Sequence, residues 1–334
     1  MPTSLKTYNT FGIDAQAADF IEISSEQQLQ ELLSKDGPKD YFVLGGGSNM
    51  LLCANIEQSV LHINNKGIRE VSRTEDHITL EFQAGENWHD TVMYCVNHNY
   101  GGIENLALIP GKIGAAPIQN IGAYGVELKD VFVSCTAVEI ATGKPKTFNL
   151  EDCQFGYRDS VFKNELKGAY IITAVCLKLS LANHALSTSY GAINTELENL
   201  NLTPSVASIA QAVINIRSSK LPDPAQIGNS GSFFKNPVIS RAAFEVFQSK
   251  NPEAPFYEVS ETEVKVPAGW LIEHAGFKGK RFGDAGVHDR QALVLVNHGN
   301  ATGQEIWSLA QRIQKEVLEK FGIALQVEVN LIGC

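Results

Sequence analysis

The sequence predicts an α+β protein with a larger front part and a smaller back part. Three observations carry this expectation. The first third alternates strand-like and helix-like apolar spacing. The middle is rich in strands and loops. LPDP at 221–224, where two prolines forbid helix, then interrupts the chain before a second α/β stretch. With 334 residues, 44% hydrophobic and 19% charged, the chain has ample core for two or three domains of a soluble globular protein.

The elements follow in order. Ser25 and Gln28 form a capping-box pattern, with Leu29, Leu32 and Leu33 as the apolar stripe behind it and Gly37-Pro38 as the stop. Residues 41–44, YFVL, predict a buried strand running into GGGSN at 45–49. Ile78, Leu80, Phe82 and Ala84 alternate as a half-buried strand; Gly85 then turns the chain into a helix carrying Trp88, Val92 and Val96. Strands are expected near 132–140 and 170–180, and a helix over 204–216 with Val206, Ile209 and Val213 on one face. Beyond LPDP, PAGWLIEHAGFKG at 267–279 predicts a helix ended by Gly276. Thr302 and Glu305 open another, through Ile306, Leu309, Ile313 and Val317 to Gly322. VEV at 327–329 reads as an apolar strand.

Charge and cysteines narrow the function. A net charge of -10 and a pI near 5.3, without a basic stripe, argue against nucleic acid and against anionic membranes as partners. The six cysteines form no C-x-x-C and none has a histidine at zinc spacing, so reduced, mostly buried thiols and no metal site are expected. The start MPTSLKTYNTFGI lacks a basic segment followed by an apolar one. The longest apolar run, around 171–181, is broken by Lys178 and is too short to span a bilayer. A cytoplasmic location is expected.

Several stretches carry chemistry. In LGGGSN, consecutive glycines after a strand expose N–H groups; the loop is either a phosphate cradle or a plain turn. It is neither G-x-G-x-x-G, since Met50 stands at the last glycine, nor a P-loop. In ENLALIPGKIGAAPIQNIGAYG at 104–125, Gly111, Gly114, Ala115, Ala116, Gly122, Ala123 and Gly125 keep side chains out of a long path. The stiff or apolar Ile109, Pro110, Ile113, Pro117 and Ile121 argue for order, which favours a cradle for a flat ligand. Arg158 in FGYRDS can bind a carboxylate through two parallel bonds, or make a structural salt bridge. Tyr190 in SYGAIN and Lys220 in RSSKLPDP offer a phenol and a cation that a diphosphate would use. GNSGSFFKNP at 228–237 does not match G-x-S-x-G, because serine stands at 232; Ser232 is a reactive hydroxyl or only a cap. Glu328 between two valines is either desolvated, with a raised pKa, or solvent-facing.

Taken together and in order, LGGGSN, ENLALIPGKIGAAPIQNIGAYG, FGYRDS, GSFFKNP, AGWLIE and LVLVN resemble the UDP-N-acetylenolpyruvoylglucosamine reductase family, from NTFGI at 9–13 to the C-terminal strand. SYGAIN is similar to the longer form of that family, which folds a tyrosine loop over the substrate. The resemblance implies an α+β fold: a two-part FAD-binding module of the vanillyl-alcohol-oxidase/cresol-methylhydroxylase type, residues 1–67 and 68–220, plus a smaller α/β substrate-binding domain, 221–334, whose last strand returns to the active site. It implies non-covalent FAD, NADPH as co-substrate, and reduction of UDP-N-acetylglucosamine-enolpyruvate to UDP-N-acetylmuramate in peptidoglycan precursor synthesis. Ser232 falls on the family's proton donor, Arg158 on its active-site arginine and Glu328 on its C-terminal acid. Tyr190, Lys220 and Asn236 fall on substrate-binding positions. Gly45, Gly46, Gly47, Ser48, Asn49, Ile109, Pro110, Gly111, Gly114, Ala115, Asn120, Gly122, Ala123 and Gly125 fall on the cofactor cradle. Two departures stand out: many relatives carry a small hydroxyl where Ala115 and Ala116 stand, and Gln326 replaces a second glutamate of some relatives. An FAD-dependent sugar or alcohol oxidase on the same scaffold, and a non-catalytic UDP-sugar or flavin sensor, are the alternatives.

Overall fold

A computed structural model describes residues 2–37 and 39–334. The chain divides into two compact units, one of residues 18–46 and 57–219, the other of residues 2–17, 47–56 and 220–334.

The first unit is built on a five-stranded antiparallel sheet, in the order Pro145–Asn149, Phe132–Glu139, Tyr170–Ser180, His77–Gln83, Ile68–Arg73. The expected alternation in His77–Gln83 holds, with Ile78, Leu80 and Phe82 buried on one face. These side chains meet Trp88 and Val92 of the helix Trp88–Asn97, and Ile209 and Val213 of the helix Val206–Lys220, in one large core. That helix begins at Val206, two residues after Pro204, and runs past Ile216 to Lys220. Of the stripe expected on Trp88–Asn97, Val96 is half-buried, and Cys95 is buried in its stead.

A second core joins this sheet to a smaller one, in which Tyr41–Leu44 runs parallel to Ile56–Ile63. Ile23, Leu29, Leu33, Tyr41, Leu61 and Ile63 there pack against Ala84, Val138 and Ile171. The strand Tyr41–Leu44 differs from expectation: only Tyr41 and Leu44 are buried, and Val43 is 40% exposed. Ser25 caps the helix Glu26–Asp36 by accepting from the Gln28 N–H, but the Gln28 side chain accepts from the Ser24 N–H, so the reciprocal arm is shifted by one residue. Gly37 closes the helix at φ 69°; Pro38, the other half of the expected stop, lies outside the described residues.

In the second unit, the helix Gly303–Phe321 carries both arms of its capping box and ends at Gly322 with φ 68°. Its buried face of Ile306, Leu309, Ala310, Ile313 and Val317 follows the expected period. The helix Ala268–His274 brings Trp270 against Phe247 and Phe321, with ring centroids 5.9 and 5.8 Å away. Residues 327–329 do not form the expected strand. Val327 makes a single bridge to Phe234, and regular pairing starts at Asn330–Ile332, parallel to Met50–Leu52.

That parallel pairing corrects the cysteine expectation. The Cys53 N–H donates to the Ile332 carbonyl at 2.8 Å, which brings the C-terminus beside Cys53, and Cys53 and Cys334 form a disulfide across 281 residues of sequence. Cys95, Cys135, Cys153 and Cys176 remain thiols, and burial pushes the Cys95 thiol well up.

Closing so long a loop restricts the unfolded chain. Cys334→Ser, or reduction of oxidised protein, is therefore expected to lower unfolding stability by about 2–4 kcal/mol. Urea titrations with and without reductant check this. Superimposable curves would show that the bond contributes nothing.

Candidate active site

The first unit contains an apolar cleft of about 450 Å³ beside its second core. Tyr41, Phe42, Ile63, Ala84, Tyr170 and Ile171 are among the residues that line it. Lys112, Gly114 and Ala115 also border it. The glycines here are required by close approach. A Cβ on Gly46 would lie 2.9 Å from the Gly111 Cα, and one on Gly114 would lie 2.6 Å from the Ala84 Cβ. Gly111 has φ 116°, its carbonyl accepts from the Trp88 N–H at 3.0 Å, and the Gly114 N–H donates to the Ala84 carbonyl at 2.9 Å. Gly45 and Gly114 thus line the cleft without side chains, a surface against which a flat cofactor can lie. Ala115 is exposed at the cleft while Ala116 is 1% exposed in the core, so only position 115 could offer a side chain to a ligand.

The rest of the 104–125 stretch frames a second feature. Asn120 is fully buried with φ 43°; its amide donates to the Glu127 carboxylate at 3.0 Å and to the Gly156 carbonyl at 3.1 Å, and accepts from the Lys129 N–H at 3.0 Å. Its side chain therefore positions the turn that carries Arg158. Arg158 has φ 55°, and the Lys163 ammonium donates to its carbonyl at 3.0 Å. A Cβ on Gly122 would lie 3.2 Å from the Arg158 guanidinium. Leu108 and Tyr124 also have positive φ, 59° and 50°. Bulky residues in this region are strained, and such strain concentrates at functional sites. Ile109 is half-buried against the core with Ala123, and Pro110 is exposed.

Tyr190 is 54% exposed, and its Cβ lies 3.2 Å from where a side chain on Gly125 (φ 80°) would begin. The buried Asn105 holds this loop by donating to the carbonyls of Tyr124 and Ser187 at 3.1 and 2.9 Å.

Arg217 was not singled out from the sequence. Its Nε is buried and has no hydrogen-bond partner among the described residues. Burial holds its pKa below the ordinary value; Tyr124 opposes the shift and the neighbouring Arg158 adds to it. A lone arginine after VINI on an otherwise apolar helix face was the available signal. Lys112, a lone charge in a small-residue apolar loop, was also missed.

In the second unit, Gly47 has φ 58°, and a Cβ there would fall 2.0 Å from the Tyr8 carbonyl oxygen. Ser48 and Asn49 follow it, and the Asn49 carbonyl accepts from the Asn330 N–H at 3.1 Å. The GNSGSFFKNP stretch separates its two serines. The Ser230 hydroxyl is buried and donates to the Met50 carbonyl at 3.2 Å. Ser232 is half-buried, paired through its backbone with Val294, and its hydroxyl bonds none of the described residues. Phe233 and Phe234 are fully buried, with ring centroids 5.2 Å apart, and fix the turn in the core. The Glu328 N–H donates to the Phe233 carbonyl at 2.9 Å, so the chain beside Ser232 is bonded to the half-buried Glu328. Asn236 accepts from the Ala268 N–H at 2.9 Å, at the start of a helix, and Lys220 is exposed.

A family model described as "FAD binding domain" matches residues 17–149, which contain most of the cleft-lining residues. The fold and this cradle define an FAD-dependent oxidoreductase. A second model, "UDP-N-acetylenolpyruvoylglucosamine reductase, C-terminal domain", matches residues 223–332. UDP-N-acetylenolpyruvoylglucosamine reductases of Flavobacterium johnsoniae and Amoebophilus asiaticus are 56% and 48% identical to the chain; each alignment covers 98% of this chain, and 98% and 97% of the respective relative. The chain belongs to the UDP-N-acetylenolpyruvoylglucosamine reductase family. The crystal structure of the reductase from Thermus caldophilus shares the fold, with a TM-score of 0.68 at 23% identity over 99% of this chain and 98% of that one.

Gly46→Ala forces backbone apart at the cradle. Overpacking of this kind is expected to raise the FAD dissociation constant by about tenfold or more. Flavin fluorescence quenching measures it, and wild-type affinity would contradict the steric role.

Proposed function

We propose that Arg158, Ser232 and Glu328 carry the chemistry of the family's reaction in this chain. The chain is an FAD-dependent reductase that converts the enolpyruvyl ether of UDP-N-acetylglucosamine to the D-lactyl ether, with NADPH as reductant, in peptidoglycan precursor synthesis. Bound FAD supplies the hydride relay between NADPH and the terminal methylene carbon of the enolpyruvyl group. Negative charge then develops on the adjacent carbon and spreads into the substrate carboxylate.

The chain's own groups answer that charge. Arg158 pairs with the carboxylate through two parallel bonds. Its strained backbone, fixed through Asn120, near the half-buried Arg217 whose buried Nε has no partner among the described residues, is the observation that carries the proposal. Two guanidinium groups that repel one another are stabilised by an anion between or beside them. Glu328, when protonated, donates a hydrogen bond to the same carboxylate; preorganised donors of this sort are commonly worth about 3–4 kcal/mol each. Ser232 gives its hydroxyl proton to the carbanionic carbon and so sets the lactyl stereocentre. A serine is a weak acid, but the carbanion is a strong base. Tyr190 and Lys220 bind the diphosphate of the nucleotide sugar, and Asn236 adds a further substrate contact. Residues 1–67 and 68–220 hold the cofactor, and 221–334 the substrate. Among the described residues no helix is long and apolar enough to cross a membrane. A cytoplasmic location fits the cytoplasmic supply of NADPH and nucleotide sugars.

Ser232→Ala is expected to bind FAD and to be reduced by NADPH normally, while reoxidation by the enolpyruvyl substrate slows by at least about a hundredfold, as loss of a positioned proton donor implies. Stopped-flow absorbance separates the two half-reactions, and normal reoxidation would remove Ser232 from its role. Lys220→Ala should raise KM more than it lowers kcat, because it acts on a part of the substrate remote from the reacting carbon. Steady-state kinetics with an unchanged KM would refute that.

A further inference from the structure

Lys112 borders the cofactor cleft with an ammonium whose three donors are all filled by neutral acceptors. It donates to the Ile63 carbonyl at 2.7 Å, to the Asn64 side-chain oxygen at 3.1 Å and to His62 Nε2 at 2.9 Å. An ammonium cannot accept, so His62 Nε2 must, and the His62 proton is on Nδ1. That nitrogen faces the Glu22 carboxylate at 3.5 Å. Burial, then Lys112, hold the His62 pKa below its usual value, in keeping with a neutral ring. The carboxylate nearest this group thus reaches the ammonium only through an imidazole, and no carboxylate bonds Lys112 directly among the described residues.

A half-buried cation bonded only to neutral groups beside an apolar cleft is electrostatically incomplete. The lining next to it carries no charged partner: Ala115 has no polar side-chain atom, and Gly45 and Gly114 have no side chain. We propose that the positive charge of Lys112, its three N–H groups staying on Ile63, Asn64 and His62, attracts the diphosphate of FAD across the cleft and that its proton couples cofactor affinity to pH. The proposal rests on FAD occupying this cleft.

The direction of the coupling follows from the surroundings. Burial first, and repulsion from Lys66 second, pull the Lys112 pKa down to about 8, against the attraction of Glu22. Lys39, Asp40 and Lys167 line the same cleft, and Tyr170, whose pKa burial raises, borders it. A diphosphate favours the charged amine and raises its pKa, so binding takes up a proton wherever the free chain has begun to lose one. Affinity is full below pH 8 and falls as pH rises above it.

Titrating the full chain, stripped of flavin, with FAD tests this. For wild type, the dissociation constant should rise roughly tenfold between pH 7 and pH 9, and binding should take up about half a proton at pH 8, read by calorimetry in buffers of different ionisation enthalpy. Lys112→Met should bind FAD and ADP more weakly at pH 7, with no proton uptake and a flat pH profile. Lys112→Arg should keep its affinity and be flat. Wild-type affinity and pH slope in Lys112→Met would overturn the proposal. If that variant does not fold, a wild-type proton uptake near zero at pH 8, or an undiminished slope in Lys112→Arg, overturns it instead. A wild-type chain that takes up no FAD at any pH would overturn the cofactor assignment itself, a distinct result.

Discussion

Two loops of the first unit meet backbone to backbone at Gly46 and Gly111, with no room for a methyl group between them. The loops that border the cleft at Gly45 and Lys112 are held in place by that contact. The second loop cannot drift, because Gly111, Ile113 and Gly114 bond through their main chain to Trp88, Glu86 and Ala84, and the Trp88 indole N–H donates to the Leu106 carbonyl at 2.9 Å. Trp88 is itself 1% exposed in the main core. The packing of one aromatic side chain therefore helps fix the path of the 111–114 main chain, which is how a rigid scaffold gives a loop precision.

The same unit concentrates unfavourable features around Arg158 and Arg217. Leu108, Tyr124 and Arg158 adopt left-handed backbone, each at a cost of order 1–3 kcal/mol. Arg217 has a buried nitrogen lacking a partner and a like charge nearby. None of this improves the free protein. An anion bound beside Arg158 and Arg217, as proposed above, would offset the repulsion between them.

Local features were legible in the sequence for local reasons. The Thr302 and Glu305 capping box, the alternation of Ile78, Leu80 and Phe82, and the glycine density of 104–125 each depend on residues within a few positions of one another. What escaped depends on segments far apart. The parallel pairing of Asn330–Ile332 with Met50–Leu52, and the Cys53–Cys334 bond it permits, join opposite ends of the chain. VEV looked like a strand because two valines flank a charge, yet Val327 and Glu328 bond to the 233–234 segment only irregularly. Asn120 was legible as part of the cradle, but its amide is occupied with Glu127, Lys129 and Gly156, a role visible only once residues 127–129 and 156 are brought beside it. The roles proposed for Ser232, Arg158 and Glu328 rest on the ordered family motifs, since a lone serine or arginine in a loop has many ordinary uses.

The most direct test is an anaerobic spectrophotometric titration of the purified chain. A flavin absorption band that bleaches with one equivalent of NADPH and returns on adding UDP-N-acetylglucosamine-enolpyruvate, with one lactyl ether formed per flavin, is the expected result. A chain that binds no flavin, or whose reduced flavin is indifferent to the enolpyruvyl sugar, would contradict it.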